Sequence, residues 1–203
     1  MAQLWGKEMK ISLVRHGRPI VNLSSRIRSK EFSAWLSAYD EAGIDHSLPP
    51  PAALKRLLAS CALVLTSPAK RAVESADVLD LRAERKITID AREAPLPTRI
   101  IWPLSHRPTV FTVIARIVWL SGLVRANEDK QEVRRRARDL TLELSALSLH
   151  FGHVALIGHG YMNMLLCKNL EATGWCSSGS RANGYWSCLH FEKEQFNQSP
   201  PQP

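Results

Sequence analysis

Short apolar runs that end in polar or charged residues are the feature that most constrains the fold of this chain. Three of them have the length and composition of buried strands, at 11–14, 62–66 and 153–158. The segments between them carry apolar residues at helical spacing, most clearly over 30–40 and 127–149. Buried strands that alternate with amphipathic helices predict a mostly parallel sheet between two helical layers. We therefore expect an α/β fold, a three-layer α/β/α sandwich with a small lid or cap inserted into it.

Three weaker patterns complete this plan. A β-branched run at 87–93 predicts a further strand that ends in a carboxylate. Ser67 is expected to cap the helix after the second strand, with Pro68 at the first helical position. The Ser/Gly-rich stretch 174–184 predicts a loop, and 185–191 predicts the last strand.

Residues suited to phosphate chemistry follow the strand candidates directly. They are Arg15, His16 and Gly17 after the first run, Arg71 after the second, Glu93 at the end of the β-branched run, and His159 after the third. Ligands of open α/β sheets bind at the carboxyl ends of the strands. We therefore expect these side chains to meet at one edge of the sheet.

Each of these groups has a role in phosphoryl transfer through a histidine. Two arginines can hold phosphate oxygens and stay charged at any working pH. A neutral imidazole is a nucleophile near neutral pH, and a second one can stabilise the transferred group by hydrogen bonds. A carboxyl group can protonate the departing oxygen and then activate the water that releases the phosphate. No metal is expected, because the arginines supply the charge that Mg²⁺ supplies elsewhere.

The order and spacing of these blocks resemble the histidine phosphatase superfamily, the phosphoglycerate mutase-like proteins with an Arg-His-Gly motif. The matching residues are Arg15-His16-Gly17 followed by Asn22, Ser67-Pro68 with Arg71, Arg92-Glu93 and Gly158-His159-Gly160. The resemblance implies a phosphatase that hydrolyses a phosphate monoester or phosphoramidate and uses no cofactor. It implies that the catalytic residues are His16 as the phosphorylated nucleophile, Glu93 as acid and base, and His159. It further implies that the phosphate is bound by Arg15, Gly17, Asn22 and Arg71.

Two departures from the family pattern leave the substrate open. Arg18 and Pro19 stand where relatives have an acidic residue and threonine, and 94–97 replaces a Gly and Trp-Glu-Gly pattern. A small phosphorylated metabolite and a phosphoprotein both fit the site residues. Asp90 is the nearest alternative to Glu93 as the acid. The residues expected to set the size of the substrate are Trp35, Trp102 and Trp119.

Two other functions are compatible with the sequence. A mutase-type phosphotransferase would use the same residues, although the region where mutases bind their second phosphate is replaced here. A non-catalytic protein that binds phosphate or nucleic acid would explain the net charge of +8. The arginine cluster 134–138 lies on a predicted helix, with Glu132 and Arg136 spaced as an i,i+4 ion pair. A solvated helix face explains this cluster, so nucleic acid is disfavoured as a partner.

Length and composition predict a single cytoplasmic domain over 1–203. The start, 1–8, lacks the apolar stretch of a signal peptide and is expected to be a disordered extension, as is the tail 196–203. The segment 95–125 is expected to form the cap. Its apolar part is too short for a membrane span and contains Arg116, so we expect a buried helix. The apolar surface of this helix is also compatible with a homodimer contact. The four cysteines form no CxxC pair, so no metal site is indicated.

Overall fold

One mixed β-sheet organises the structure, a computed structural model that describes residues 8–99, 101, 103–124, 126–179 and 184–194. The strands of these residues are β1 (Glu8–Arg15), β2 (Leu63–Thr66), β3 (Glu84–Ile87), β4 (His153–Gly158), β5 (Cys176–Ser178) and β6 (Cys188–Glu194). They lie in the order β3-β2-β4-β1-β6-β5. The first four strands of this order are parallel, whereas β6 and β5 pair in antiparallel fashion. The sheet is therefore mostly parallel, as predicted.

Helices cover both faces of this sheet. They are α1 (Phe32–Glu41), α2 (Ala52–Leu57), α3 (Lys70–Leu79), α4 (Pro108–Ser121), α5 (Lys130–Phe151) and α6 (Gly160–Ala172), with 3-10 turns at Ser29–Glu31 and Ile89–Ala91. On one face, α5 and α6 bury Leu140, Leu144 and Leu166 against the strands. On the other face, α2 and α3 bury Leu54 and Leu79. This arrangement confirms the predicted three-layer α/β/α sandwich.

The composition of β4 shows why two helical layers are needed. Every residue of this strand is buried. Val154 and Leu156 belong to the core under α5 and α6. Ala155 and Ile157 belong to the core under α2 and α3. Successive side chains of a strand point to opposite faces, so an uninterrupted apolar run requires cover on both sides.

The predicted cap segment, 95–125, contains α4, which packs against α1. Phe32, Phe111 and Ala115 form a small buried cluster between the two helices. α4 ends at Gly122, whose φ of +77° lies in the left-handed region that favours glycine. None of the described helices combines the length and apolar content that crossing a bilayer requires.

The structure corrects the strand predicted over 87–93. β3 ends at Ile87, and the residues after Thr88 form a 3-10 turn instead of a strand. The cause is the length of the neighbouring strand. Ile87 pairs with Thr66, where β2 ends, so a longer β3 would have no further ladder partner on this side.

The loop predicted over 174–184 is also corrected. Residues 176–178 form β5, because they pair with the edge of β6. β6 begins at Cys188 and not at Tyr185, so the last predicted strand starts too early. Trp186 explains the late start, since its φ of +60° is left-handed and incompatible with an extended strand.

A buried chain of hydrogen bonds connects β4, β1 and β6. Ser12 Oγ lies 2.9 Å from His153 Nε2 and 2.8 Å from His190 Nδ1. Beyond these rings, Ser60 Oγ lies 2.8 Å from His153 Nδ1, and Glu192 lies 3.2 Å from His190 Nε2. Burial, followed by the neighbouring His190, lowers the pKa of His153 to about 4. This histidine is therefore neutral in the folded protein at pH 7.

We expect acid to weaken the fold through His153. A histidine of the unfolded chain takes up its proton near pH 6.5, whereas His153 does so near pH 4 in the folded chain. Between these values the unfolded state binds more protons, so the free energy of unfolding falls as the pH drops, by up to about 3 kcal/mol from this residue. Urea denaturation between about pH 7.5 and pH 5 measures the slope. His153→Gln should flatten it and the exposed His46→Gln should not; equal slopes in both variants would contradict the assignment.

Candidate active site

Parallel pairing of β1 with β4 places two histidines side by side. Arg15 pairs with Gly158 at the carboxyl ends of these strands. His16 and His159 are the next residues, and their ring centroids lie 5.1 Å apart in an edge-on arrangement. Both side chains are buried, with 1% and 2% of their surface exposed. The structure thus brings together two residues that are far apart in the sequence.

Contacts of His16 determine which ring nitrogen carries the proton. Its Nδ1 lies 2.7 Å from the carbonyl oxygen of Gly17. A carbonyl oxygen only accepts, so the neutral ring holds its proton on Nδ1 and leaves a lone pair on Nε2. The amide of Gly17 donates to Ser75 Oγ at 2.9 Å. A Cβ at Gly17 would lie 2.5 Å from the ring of Trp186, so this close approach requires glycine.

Ser67 holds the ring of His159. Its Oγ lies 2.6 Å from His159 Nε2 and accepts the N–H of Ala69 at 3.2 Å. The predicted helix cap at Ser67 and Pro68 is wrong, because α3 begins at Lys70 with Ala69 in the N-cap position. Ala69 has an extended backbone conformation, so the helix starts after it and the Ser67 hydroxyl is available to the imidazole.

Two arginines complete a basic cluster with the histidines. The guanidinium of Arg15 lies over the ring of Tyr185, 4.7 Å from its centroid. Arg71 lies over the ring of Tyr39 at 4.5 Å, donates to the Tyr39 carbonyl at 3.0 Å and contacts the Asp40 carboxylate at 3.4 Å. The buried Nε of Arg71 has no hydrogen-bond partner among the described residues. The name basic cluster denotes Arg15, His16, Arg71 and His159.

The basic cluster keeps both imidazoles neutral. Burial, followed by His159 and Arg71, lowers the pKa of His16 well below the ordinary value for histidine. Burial, followed by Arg71 and Arg15, lowers the pKa of His159 to about 3. Desolvation and nearby positive charge both disfavour the imidazolium form. At neutral pH the site therefore holds two uncharged imidazoles beside two guanidinium groups.

Glu93 is held at the N-terminus of α6. Its Oε1 accepts the N–H groups of Ala94 at 2.9 Å and Met162 at 3.1 Å. Its Oε2 accepts the N–H of Tyr161 at 3.0 Å. The first turn of a helix presents amides without intrahelical partners, which attract a carboxyl group. A carboxyl group offers about four lone-pair sites, so Oε2 retains one for a proton.

Arg136 anchors the 3-10 turn that precedes Glu93. Its Nη1 donates to the carbonyl oxygens of Asp90 and Arg92 at 2.7 and 2.8 Å. Its Nε and Nη2 bind the two carboxylate oxygens of Glu128 at 2.9 and 2.7 Å. Arg136 is only 7% exposed, so the predicted solvated helix face is wrong at this position. The i,i+4 pairing expected from the sequence is replaced by this longer-range ion pair.

Replacing Arg136 by methionine is expected to lower the free energy of unfolding by about 3 kcal/mol. The variant leaves the largely buried Glu128 carboxylate with Arg92 as its ion-pair partner, and two backbone carbonyls lose their donor. Arg138→Met, at an exposed position of the same helix, is the matched control and should change stability by less than about 0.5 kcal/mol. Urea denaturation compares the two, and losses of equal size would contradict the anchoring role.

A cavity of about 250 Å³ opens next to the basic cluster. We call it the outer cavity. Arg15 and Glu93 both line it, so it connects the basic cluster with the candidate acid. Side chains of α1 and α4 contribute to its walls. Its aromatic lining residues are Trp35, Tyr39, Tyr161 and Tyr185.

Several solved structures share this architecture. A mycobacterial glucosyl-3-phosphoglycerate phosphatase is 19% identical over 91% of this chain and 90% of its own, with a TM-score of 0.58. A phosphoserine phosphatase of Entamoeba histolytica, solved with 3-phosphoglyceric acid, is 14% identical over 95% and 98%, with a TM-score of 0.55. Neither a protein-family model nor a curated protein sequence matches the chain. The chain therefore shares the α/β fold of these two phosphatases.

The side chain of Asn22, which the resemblance implies as a phosphate ligand, is bound within its own loop. The side chain of Asn22 is exposed, and its Oδ1 accepts the N–H groups of Ser24 and Ser25 in its own loop. The backbone carbonyl of Asn22 accepts the indole N–H of Trp35 at 3.0 Å. Asn22 therefore touches the outer cavity only through Trp35.

The three tryptophans expected to set the substrate size differ in position. Trp35 lines the outer cavity. Trp119 is buried in the core, where its indole N–H donates to the Glu128 carbonyl at 3.1 Å. Trp102 lies outside the described residues, as do the ends of the chain at 1–7 and 195–203.

Sequence reasoning missed three residues that shape the site. Ser75 and Trp186 fix the turn at Gly17, and no local pattern marks either of them. Arg116 lines the outer cavity, although the sequence predicts only a buried helix around it. A single charge inside an otherwise apolar helix was the available indication, because such a charge needs a polar environment.

Proposed function

We propose that this protein is a cytoplasmic, metal-independent phosphatase that hydrolyses a phosphate monoester or phosphoramidate through a phosphohistidine on His16. The observation that carries the proposal is the pair of neutral imidazoles, with ring centroids 5.1 Å apart, inside a cluster that contains two arginines. The solved structures that share the fold include two named phosphatases, which supports the same class of reaction.

The basic cluster is suited to bind the phosphate before any bond changes. Arg15 and Arg71 supply two fixed positive charges, and the buried Nε of Arg71 is a donor with no protein partner among the described residues. His159, oriented by Ser67, is placed to interact with the oxygens of the transferred group. A bound phosphate dianion would offset the positive charge that lowers the pKa of both histidines.

In the first step, Nε2 of His16 attacks phosphorus while the bond from phosphorus to the leaving oxygen breaks. The proton on Oε2 of Glu93 passes to that oxygen, so the leaving group departs as a neutral alcohol or amine. The hydrogen bond from His16 Nδ1 to the Gly17 carbonyl, 2.7 Å long, stabilises the positive charge that develops on the ring.

In the second step, a water molecule attacks the phosphohistidine. The carboxylate of Glu93 takes a proton from the water, the bond from phosphorus to Nε2 breaks, and the electron pair returns to the ring. Inorganic phosphate leaves, and Glu93 is again protonated. The anchoring of Glu93 and His159 at the same end of α6 keeps acid and phosphate in a fixed relation throughout.

Hydrolysis of 4-nitrophenyl phosphate in excess EDTA tests this proposal. We expect the rate to be unchanged by the chelator, with one phosphate released for each nitrophenol. Loss of activity in EDTA and recovery with a divalent cation would contradict the metal-independent mechanism. A mutase-type phosphotransferase would instead pass the phosphate to an added hydroxyl acceptor and release less of it to water.

A further inference from the structure

We propose that the leaving group of the substrate is an uncharged, largely apolar alcohol whose body fills the outer cavity. This inference rests on the proposed function and specifies the substrate class at the same site. Arg15 of the basic cluster lines the outer cavity, so a group attached to a phosphate on this arginine would extend into it.

The walls of the outer cavity are mainly aromatic and aliphatic. Tyr185 lies under the guanidinium of Arg15 and 5.8 Å from the His16 ring, so the aromatic surface begins beside the reacting atoms. The aliphatic lining residues are Leu23, Leu36, Leu96 and Val113. The binding free energy at such a surface comes mainly from the burial of apolar groups, at about 25 cal/mol per Å² of apolar area.

The aromatic wall formed by α1 is held in position before any substrate arrives. The Trp35 indole donates its only N–H to the Asn22 carbonyl at 3.0 Å, so its ring offers no further hydrogen bond to a substrate. The ring stacks on Tyr39 at 5.3 Å and on Phe32 at 6.2 Å between centroids. An aromatic wall fixed in this way binds a substrate through van der Waals contact and by excluding water.

Arg116 is a charged residue in the wall of the outer cavity, and its guanidinium is already engaged by protein groups. Its Nη2 donates to the Ala94 carbonyl at 2.8 Å and its Nη1 to the Pro95 carbonyl at 3.1 Å. Its guanidinium packs over the ring of Tyr161 at 4.5 Å. The carboxyl group of Glu93 lines the same cavity. These contacts take two of the five N–H donors of Arg116 and one face of its guanidinium, which reduces what it offers to a carboxylate on the leaving group.

The substrate proposed here differs from the compounds in the names of the compared proteins, glucosyl-3-phosphoglycerate and phosphoserine, because both of those carry a carboxylate. The experiment compares 3-phenylpropyl phosphate with phosphoserine and 3-phosphoglycerate, all of which release a primary alcohol. We expect kcat/KM to be at least about 10-fold higher for the phenylpropyl ester, mainly through KM, because a phenyl group buries that much apolar surface. Equal or higher kcat/KM for the acidic esters would overturn the proposal.

One valine and one isoleucine of α4 provide a matched pair of variants. Val113 lines the outer cavity, whereas Ile117, one turn later, does not; their side chains are similarly exposed, at 59% and 62%. Val113→Asp should lower kcat/KM for the phenylpropyl ester about 10-fold, and Ile117→Asp should not. Equal effects of the two variants would count against the outer cavity as the binding site.

Binding of phosphonates distinguishes failure of this inference from failure of the proposed function. Calorimetry compares 4-phenylbutylphosphonate with the phosphonate analogue of phosphoserine, neither of which can be hydrolysed. Preference for the phenyl compound without turnover of any ester would support the cavity assignment and refute the phosphatase. Turnover of esters with preference for the acidic phosphonate would refute the cavity assignment alone.

Discussion

Replacement of His16 by alanine is expected to lower kcat for phosphate ester hydrolysis by at least about 10³-fold, because the variant lacks the nitrogen that attacks phosphorus. Arg15, Arg71 and His159 remain, so inorganic phosphate should still bind as a competitive ligand. Steady-state turnover of 4-nitrophenyl phosphate and calorimetric binding of phosphate measure the two properties separately.

The exposed His46 supplies a control for this replacement. His46→Ala should turn over at the wild-type rate, which shows that loss of an imidazole elsewhere has no effect. Turnover by His16→Ala above about a tenth of the wild-type rate would refute the nucleophile assignment.

Glu93→Gln is expected to reduce kcat/KM, which reports the step in which the leaving group departs, by about 100-fold or more for alkyl esters and much less for 4-nitrophenyl phosphate. Alkoxides are poor leaving groups and require a proton as they depart, whereas nitrophenolate departs without one. The glutamine retains an oxygen that can accept from the Ala94 and Met162 amides but cannot transfer a proton. A Brønsted plot of kcat/KM against leaving-group pKa, for wild type and variant, measures the difference.

Asp90 is the matched control for this second variant. It lies in the preceding 3-10 turn and lines a separate charged groove with Arg92, Glu128 and Arg136. Asp90→Asn should keep the Brønsted slope of the wild type. A steeper Brønsted slope in Asp90→Asn than in Glu93→Gln would transfer the acid role to Asp90.

The alternation of apolar runs was sufficient to predict the sheet and the meeting of His16 with His159. Both follow from the pairing of adjacent parallel strands, because a shared register brings the residues after the strand ends together. The end of β3 was not predictable in the same way. It depends on where β2 stops, and a single strand carries no information about the length of its neighbour.

Contacts between side chains from distant segments also could not be predicted from the sequence. In the sequence, Arg136 is one of several arginines of a helix that are expected to be solvated. In the structure, α5 packs against the turn at Asp90, and Arg136 binds the Asp90 carbonyl and the Glu128 carboxylate. The same holds for Ser67, which has the composition of a helix cap but binds His159, 92 positions later in the chain. Local propensity cannot distinguish these alternatives, because tertiary contacts decide between them.

Two of the four cysteines, Cys61 and Cys188, lie in environments that are unfavourable for a nucleophile. Burial raises the pKa of the Cys61 thiol and of the Cys188 thiol to about 12, so both are protonated at neutral pH. Neither can act as a thiolate. The covalent intermediate should therefore be a phosphoramidate on histidine, which is labile in acid and stable in base, unlike a phosphoserine ester.

Rapid quenching of the enzyme with a ³²P-labelled ester, followed by peptide mapping under basic conditions, tests the central claim most directly. We predict an acid-labile label on the peptide that contains His16, formed and discharged at rates that account for turnover. A label on another residue, or release of phosphate within a single turnover with no labelled protein, would contradict the mechanism.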